Sequence, residues 1–408
     1  MLIDFRFENF RSYHREARLQ LARNGEVNRV AAIYGPNASG KTNVVNALAM
    51  MRGMVLGSSS LNSTDVIGFQ PFVFAVKDEK SEGLFEVTFS TDEGVWRYGF
   101  SFDEKVITAE WLFEYQDLTH CFEGKGRQIY VREGANCDGE LQTAVELLPK
   151  TLPNMLLLAK LDQDNVELAH KIMGWFRNLV IIQAYSDDNL YSYSHNQLSS
   201  RGRYAQRMLE LLKFADPTVA AVRKVPAESE TGLGREADER LRHYAKANGL
   251  RAEKIELVRR AADAQVLVPL PFDEFESAGT QKMFCLSGPL TDILEHGYTL
   301  VVDEVDSKFH PSLTQKIFSM FADASTNPHR AQLIVTTHDV ELMRSGMLRP
   351  QQIFFSEKNL RGESSLYSLA DFRNSEQYRA PEIADRYLQG IFGSIPSFEE
   401  DVHESRVD

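Results

Sequence analysis

The stretch VAAIYGPNASGKTNVV, residues 30–45, constrains this chain more than any other. An apolar run from Val30 to Tyr34 reads as a buried strand. Gly35 follows, then four residues, then Gly40-Lys41-Thr42, which is the spacing of a phosphate-binding loop. Gly35 and Gly40 permit backbone conformations that turn successive N–H groups toward one anion. Val44, Val45, Leu48 and Met51 then mark an apolar helix pattern, whose N-terminal dipole adds about 0.3–1 kcal/mol per charge at an exposed site. In that setting Lys41 would reach the β- and γ-phosphates of a nucleotide, and the Thr42 hydroxyl would coordinate Mg²⁺.

Three further segments extend the pattern. YTLVVDEVD, residues 298–306, is a strand run ending in Asp303, placed for a magnesium shell, and Glu304, placed to polarise water as a general base. QLIVTTHD, residues 332–339, repeats the design with His338 at the carboxyl end of a buried strand, where parallel sheets bind ligands. FESAGTQKMF, residues 275–284, places Ser277 and Gly279 at a helix start, which makes a second small anion site. A single nucleotide has no use for two such sites unless the second serves a partner's nucleotide.

Between these segments the periodicity changes. Phe85, Val87 and Phe89 alternate, as do Trp96, Tyr98, Phe100 and Phe102, with Asp92-Glu93-Gly94 as the turn, so residues 66–132 read as an antiparallel meander. Residues 140–250 read as largely helical, 226–239 as a polar loop, and 254–260 with 266–270 as a hairpin or a helix turn and strand. Residues 285–358 alternate helix and buried strand, the signature of a parallel sheet. The expected division is an N-terminal lobe at 1–135, a helical insertion at 136–270, a C-terminal lobe at 271–398 and an acidic tail at 399–408.

Composition narrows the classes. A chain of 408 residues with 43% hydrophobic and 25% charged residues is an ordinary globular protein. No apolar run approaches a membrane span, and Met1–Tyr13 lacks a signal-peptide core. The three cysteines are odd in number and widely spaced, which speaks against a disulfide framework or zinc knuckle and for a cytoplasmic setting. The net charge of −13 disfavours a general nucleic-acid coat, although Arg6, Arg11, Arg15, Arg18, Arg23 and Arg29 leave a local basic groove open.

The order GPNASGKT, ESAGTQ, VVDEVD, TTHD resembles the ABC/SMC superfamily of ATPases, and more narrowly the stand-alone bacterial ATPases of the abortive-infection and OLD/RloB-associated group. FENFRSY at the N-terminus, FHP at 309–311 and YLQGIFGSIPSF at 387–398 are similar to that group as well. The resemblance implies an α/β fold: an ABC-ATPase-like head with a P-loop parallel sheet, an antiparallel β subdomain and a helical insertion. It assigns Gly35, Pro36, Asn37, Ala38, Ser39, Gly40, Lys41, Thr42 and Asn43 to Walker A, and residues 277–281 to a signature motif. Asp303 and Glu304 become Walker B, Asp306 and Ser307 the D-loop, and His338 the switch histidine. Gln70 in GFQPF is the candidate Q-loop ligand for Mg²⁺, and Arg11 the candidate nucleotide contact. Ala278 and Thr280 depart from the LSGGQ signature of transporters.

The function implied is an ATP- and Mg²⁺-dependent ATPase that forms a homodimer around ATP, with higher oligomers open, and controls a co-encoded nuclease or toxin in anti-phage defence. The alternative is a RecF- or SMC-like DNA clamp for repair or recombination, with contact to nucleic acid left open. A scaffold that binds ATP without useful turnover and a transporter subunit are weaker readings, the latter because the meander and helical insertion precede the signature.

Overall fold

The computed structural model describes residues 1–75, 82–183, 187–200, 202–226, 253–261 and 266–395. The polar loop expected at 226–239 lies outside them apart from Pro226, and the acidic tail at 399–408 lies outside them entirely. The described residues fall into two compact units, one from Met1–Gln183, Gly297–Asp306 and Thr314–Asp408, the other from Ala184–His296 and Ser307–Leu313.

The first unit begins with β1 (Leu2–Glu8) and β2 (Ala17–Gln20), then a short ribbon of β3 (Ala22–Arg23) and β4 (Glu26–Val27). The buried strand β5 (Val30–Tyr34) leads into helix α1 (Lys41–Gly57). The expected meander begins at Gly83 rather than residue 66, with no strand among the described residues 66–75, and follows as β6 (Gly83–Thr91), β7 (Gly94–Phe102), β8 (Ile107–Tyr115), β9 (Arg127–Glu133) and β10 (Asn136–Asp138). These strands join β1 and β2 in a seven-stranded antiparallel sheet of order β10-β9-β8-β7-β6-β1-β2. Alternation explains the burial: Phe5, Phe7, Phe85, Phe89, Phe100 and Phe102 all point into one aromatic core.

One charged side chain interrupts that core. Glu110 on β8 is fully buried and accepts hydrogen bonds from Tyr98 Oη at 3.0 Å, Tyr130 Oη at 2.8 Å, and the backbone N–H groups of Leu157 and Leu158 at 2.6 and 2.9 Å. Arg132 Nη1 stands 3.8 Å away. The carboxylate thereby caps the helix Leu157–Gln163 and ties it to the sheet.

The second sheet of this unit contains β5 at its centre. Its other strands are β11 (Leu179–Ile182), β15 (Thr299–Val302), β16 (Gln332–Thr336), β17 (Ile353–Lys358) and β18 (Ser364–Ser368), in the order β11-β15-β16-β5-β17-β18. All neighbours are parallel except β17 with β18. β5, β15 and β16 are buried at every residue, which is why they read as unbroken apolar runs. Gln332, buried on β16, joins the two sheets: its Oε1 accepts from Leu2 N, and its Nε2 donates to Leu2 O and Asn28 O, each at 2.8 Å.

The region expected to be largely helical is interrupted by two strands, β11 and β12 (Val219–Pro226). The helical spacing stops at Asn178, and the branched run Leu179-Val180-Ile181-Ile182 is taken up by the edge of β15. In the second unit β12 pairs with β13 (Glu253–Arg260), which pairs with β14 (Leu267–Pro271), both antiparallel, so the hairpin alternative holds for 254–260 with 266–270. The helix Ala278–His296 carries Pro289 in its interior. Proline cannot donate to the carbonyl four residues back, and Ser194 Oγ supplies that bond to Cys285 O at 2.8 Å while accepting from Gly288 N at 3.2 Å. A Cβ on Gly288 would come within 2.8 Å of Ser194 Cα, so glycine permits the approach.

Candidate functional site

The loop after β5 is held by its two glycines, with φ 153° at Gly35 and 117° at Gly40, and by Ala38 at 63°. Lys41 opens α1 and is buried. Its Nζ donates to Gly35 O at 2.8 Å and Pro36 O at 3.0 Å, so the side chain arches back over the loop. Burial lowers the Lys41 pKa more than the nearby carboxylates Asp303, Glu304 and Asp306 raise it.

The carboxyl ends of β15 and β16 face the same loop. Asp303, buried, accepts from Thr336 Oγ1 at 2.5 Å and from Thr42 Oγ1 at 3.3 Å, and its own N–H donates to Ile182 O at 2.9 Å. Glu304 follows at φ 51°, a left-handed conformation that costs a non-glycine residue about 1–3 kcal/mol. Its N–H donates to Thr336 Oγ1 at 2.8 Å. Thr336 therefore holds both acidic residues through one hydroxyl.

His338 lies just beyond β16, its N–H donating to Asp306 Oδ2 at 3.1 Å. The protein mass around its ring, and next the Lys41 ammonium, keep its pKa below the ordinary histidine value. Asp306 Oδ1 is buried without a hydrogen-bond partner among the described residues. Asp339 Oδ1 caps the following helix through Glu341 N and Leu342 N, and Tyr34 Oη donates to Asp339 O at 3.3 Å.

Arg11 and Gln70 meet at the first turn of α1. Arg11, at φ 51° between β1 and β2, donates from Nε to Gln70 Oε1 at 2.7 Å and from its backbone N–H to Gln70 O at 2.7 Å. Its Nη1 reaches Asn43 Oδ1 at 3.4 Å. Gln70, Arg11 and Asn43 thus form one cluster beside the loop, with the Gln70 amide oxygen engaged by arginine.

Ser277 and Gly279 belong to the second unit. Ser277, exposed, receives Thr280 N–H at Oγ at 3.2 Å and caps the helix Ala278–His296. A Cβ on Gly279 would stand 3.1 Å from Lys308 O. Lys282 Nζ donates to Ser307 O at 2.7 Å and lies 5.0 Å from the Phe309 ring, so this helix packs on the segment after Asp306.

The structure therefore brings Gly35, Pro36, Asn37, Ala38, Ser39, Gly40, Lys41, Thr42, Asp303, Glu304 and His338 to the ends of three adjacent strands, β5, β15 and β16. Sequence reasoning missed Thr336 and the orientation of Asp306. Thr336 had a readable signal, as the first polar residue after the apolar run LIV.

Among solved structures, the chain is similar to the SMC head domain of Thermotoga maritima at 12% identity and TM-score 0.44, covering 90% of this chain and 98% of that one. It is similar to the SMC head of Pyrococcus furiosus with an extended coiled coil bound to the C-terminal domain of ScpA, at 12% identity and TM-score 0.43, covering 96% and 99%. An SMC head bound to the C-winged helix domain of ScpA matches at 12% identity and TM-score 0.44, covering 90% and 97%. No curated protein matches the chain. A protein family described as "AAA domain, putative AbiEii toxin, Type IV TA system" matches residues 30–131 and 170–344, more than half of the chain and the span that carries the phosphate loop, Asp303, Glu304 and His338, and the chain belongs to that AAA family.

Proposed function

We propose that this chain is a Mg²⁺-dependent ATPase switch that dimerises around ATP and controls a separate effector, a nuclease or toxin, in bacterial anti-phage defence. The observation that carries the reading is the convergence of Lys41, Thr42, Asp303, Glu304 and His338 on one phosphate loop at the carboxyl ends of parallel strands. The matched family's description, which names a toxin–antitoxin system, supports a two-component arrangement.

Each residue has a task in this reading. Lys41 exchanges the carbonyls of Gly35 and Pro36 for phosphate oxygens. Thr42 and Asp303 present hard oxygen donors 3.3 Å apart, a donor set that fits Mg²⁺ shared with phosphates. When bound, Mg²⁺ neutralises charge on the β- and γ-phosphate oxygens. Glu304 takes the proton of the attacking water, a role worth about 10²–10⁴-fold. His338, neutral at pH 7, hydrogen-bonds the water or the γ-phosphate. Ser277 and Gly279 of a second copy close the site from the other side, so nucleotide binding favours the dimer by mass action.

The direct test is Glu304→Gln. Turnover should fall about 10²-fold or more while ATP binding, measured by calorimetry, persists. Turnover equal to the wild type would remove Glu304 from its role.

A further inference from the structure

The phosphate loop is held from behind by hydroxyls on strands that carry none of the nucleotide motifs. Ser39 O accepts two hydrogen bonds, from Ser356 Oγ on β17 at 3.1 Å and from Ser364 Oγ on β18 at 2.6 Å. Ser356 is 0% and Ser364 5% exposed. Each is supported in turn: Tyr13 Oη lies 2.9 Å from Ser356 Oγ, and Ser12 Oγ, which accepts from Asn43 Nδ2 at 2.7 Å, lies 2.8 Å from Ser364 Oγ. Both loop glycines are pressed against this layer. A Cβ on Gly35 would overlap Ser356 O and Ser394 Oγ, and one on Gly40 would overlap Ser364 Oγ.

We propose that Ser356 and Ser364 are positioning residues that orient the Ser39–Gly40 peptide for anion binding, an inference that rests on the ATP reading of the loop. In a planar trans peptide the C=O of Ser39 and the N–H of Gly40 point in opposite directions. Tying the carbonyl from behind therefore turns the Gly40 N–H to the other side of the loop, toward a bound phosphate. Without the two hydroxyls this peptide loses its reason to stay in that orientation, and a flip would aim a carbonyl oxygen at the anion. The donor is thus organised before the ligand arrives, which spares the ordering cost on binding.

The same layer gives the C-terminal stretch YLQGIFGSI, residues 387–395, a place in the site. Ser394, fully buried at φ 56°, donates from Oγ to Ser356 O at 2.7 Å. Tyr387 Oη donates to Ser394 O at 3.2 Å, and the Tyr387 and Phe392 rings stack on Phe355 at 5.4 and 5.9 Å. This segment locks β17, and β17 locks the loop.

The test measures the dissociation constant of a non-hydrolysable ATP analogue, and kcat and KM for ATP, in the full chain carrying Ser356→Ala, Ser364→Ala or both. Each single variant should weaken analogue binding and raise KM about 5- to 10-fold, the worth of one hydrogen bond, with kcat kept within about twofold. The double variant should weaken both further. A merely structural loss lowers the folded fraction, and so kcat, while leaving KM unchanged. Analogue affinity and KM within twofold of wild type in a folded variant would overturn the proposal. Because the two serines reach the same carbonyl from different strands, failure of one variant to fold leaves the other to decide. A wild-type chain that binds no analogue would sink the ATP reading, and this proposal with it.

Discussion

Asp303 and Glu304 are neighbours in sequence, yet their surroundings differ in kind. Asp303 is buried and fixed by two hydroxyls and its own N–H, whereas Glu304 sits in a left-handed conformation with its backbone tied to Thr336. That contrast suits the proposed division of labour, with Asp303 serving Mg²⁺ and Glu304 serving the attacking water. Charge at the residue scale also yields a pH prediction, at Asp4 on β1. Burial raises its carboxyl from 3.8 to about 6, and Arg18, whose Nε lies 2.9 Å from Oδ1, offsets only part of that. Between those pH values the folded chain keeps a proton that the unfolded chain releases, so this group makes stability fall as pH rises from about 4 to 6. Asp4→Asn abolishes the titration. Melting temperatures recorded from pH 4 to 7 should then decline less steeply than in wild type, and parallel curves would count against the assignment.

The meander was legible because apolar and polar residues alternate cleanly across β6 and β7, and β5, β15 and β16 because they are apolar without a break. β11 escaped, since four branched residues after a helix show no period of their own. Glu110 is the counterpart inside an element: an acid between apolar residues of ITAEWLFEY reads as a solvent-facing position, yet it is buried with four donors around it. Its removal strands two tyrosine hydroxyls, two helix N–H groups and Arg132. Glu110→Ala should therefore cost about 3–5 kcal/mol in urea denaturation. A loss under about 1 kcal/mol, the value of an exposed ion pair, would show that solvent reaches the site.

At the scale of the whole molecule, the phosphate loop and Ser277 belong to different compact units of one chain. In the proposed dimer each nucleotide is held by the loop of one copy and Ser277 of the other. Ser277 is exposed, so a large charged substitute is accommodated sterically, and the lost helix cap costs only about 1 kcal/mol. Light scattering of Ser277→Arg with a non-hydrolysable ATP analogue should report monomers that still bind nucleotide, where wild type reports dimers. Equal dimerisation by both would dismiss the composite site.

Sequence alone determined the candidate groups of the site and the strands that end in them, because a buried parallel strand and a glycine-bridged loop both leave short-range patterns. Asp303, Glu304 and His338 follow apolar runs closely, and Lys41 and Thr42 close the glycine-bridged loop that follows another, so both placements are visible in one dimension. What only the tertiary structure decided is which ordinary hydroxyls hold those groups in place. Ser356, Ser364 and Ser394 lie more than 300 residues from the Ser39 loop that they hold, and serine carries no periodic signal. Their hydrogen bonds exist because the order β15-β16-β5-β17-β18 sets distant segments side by side, a fact of strand pairing that no local pattern encodes.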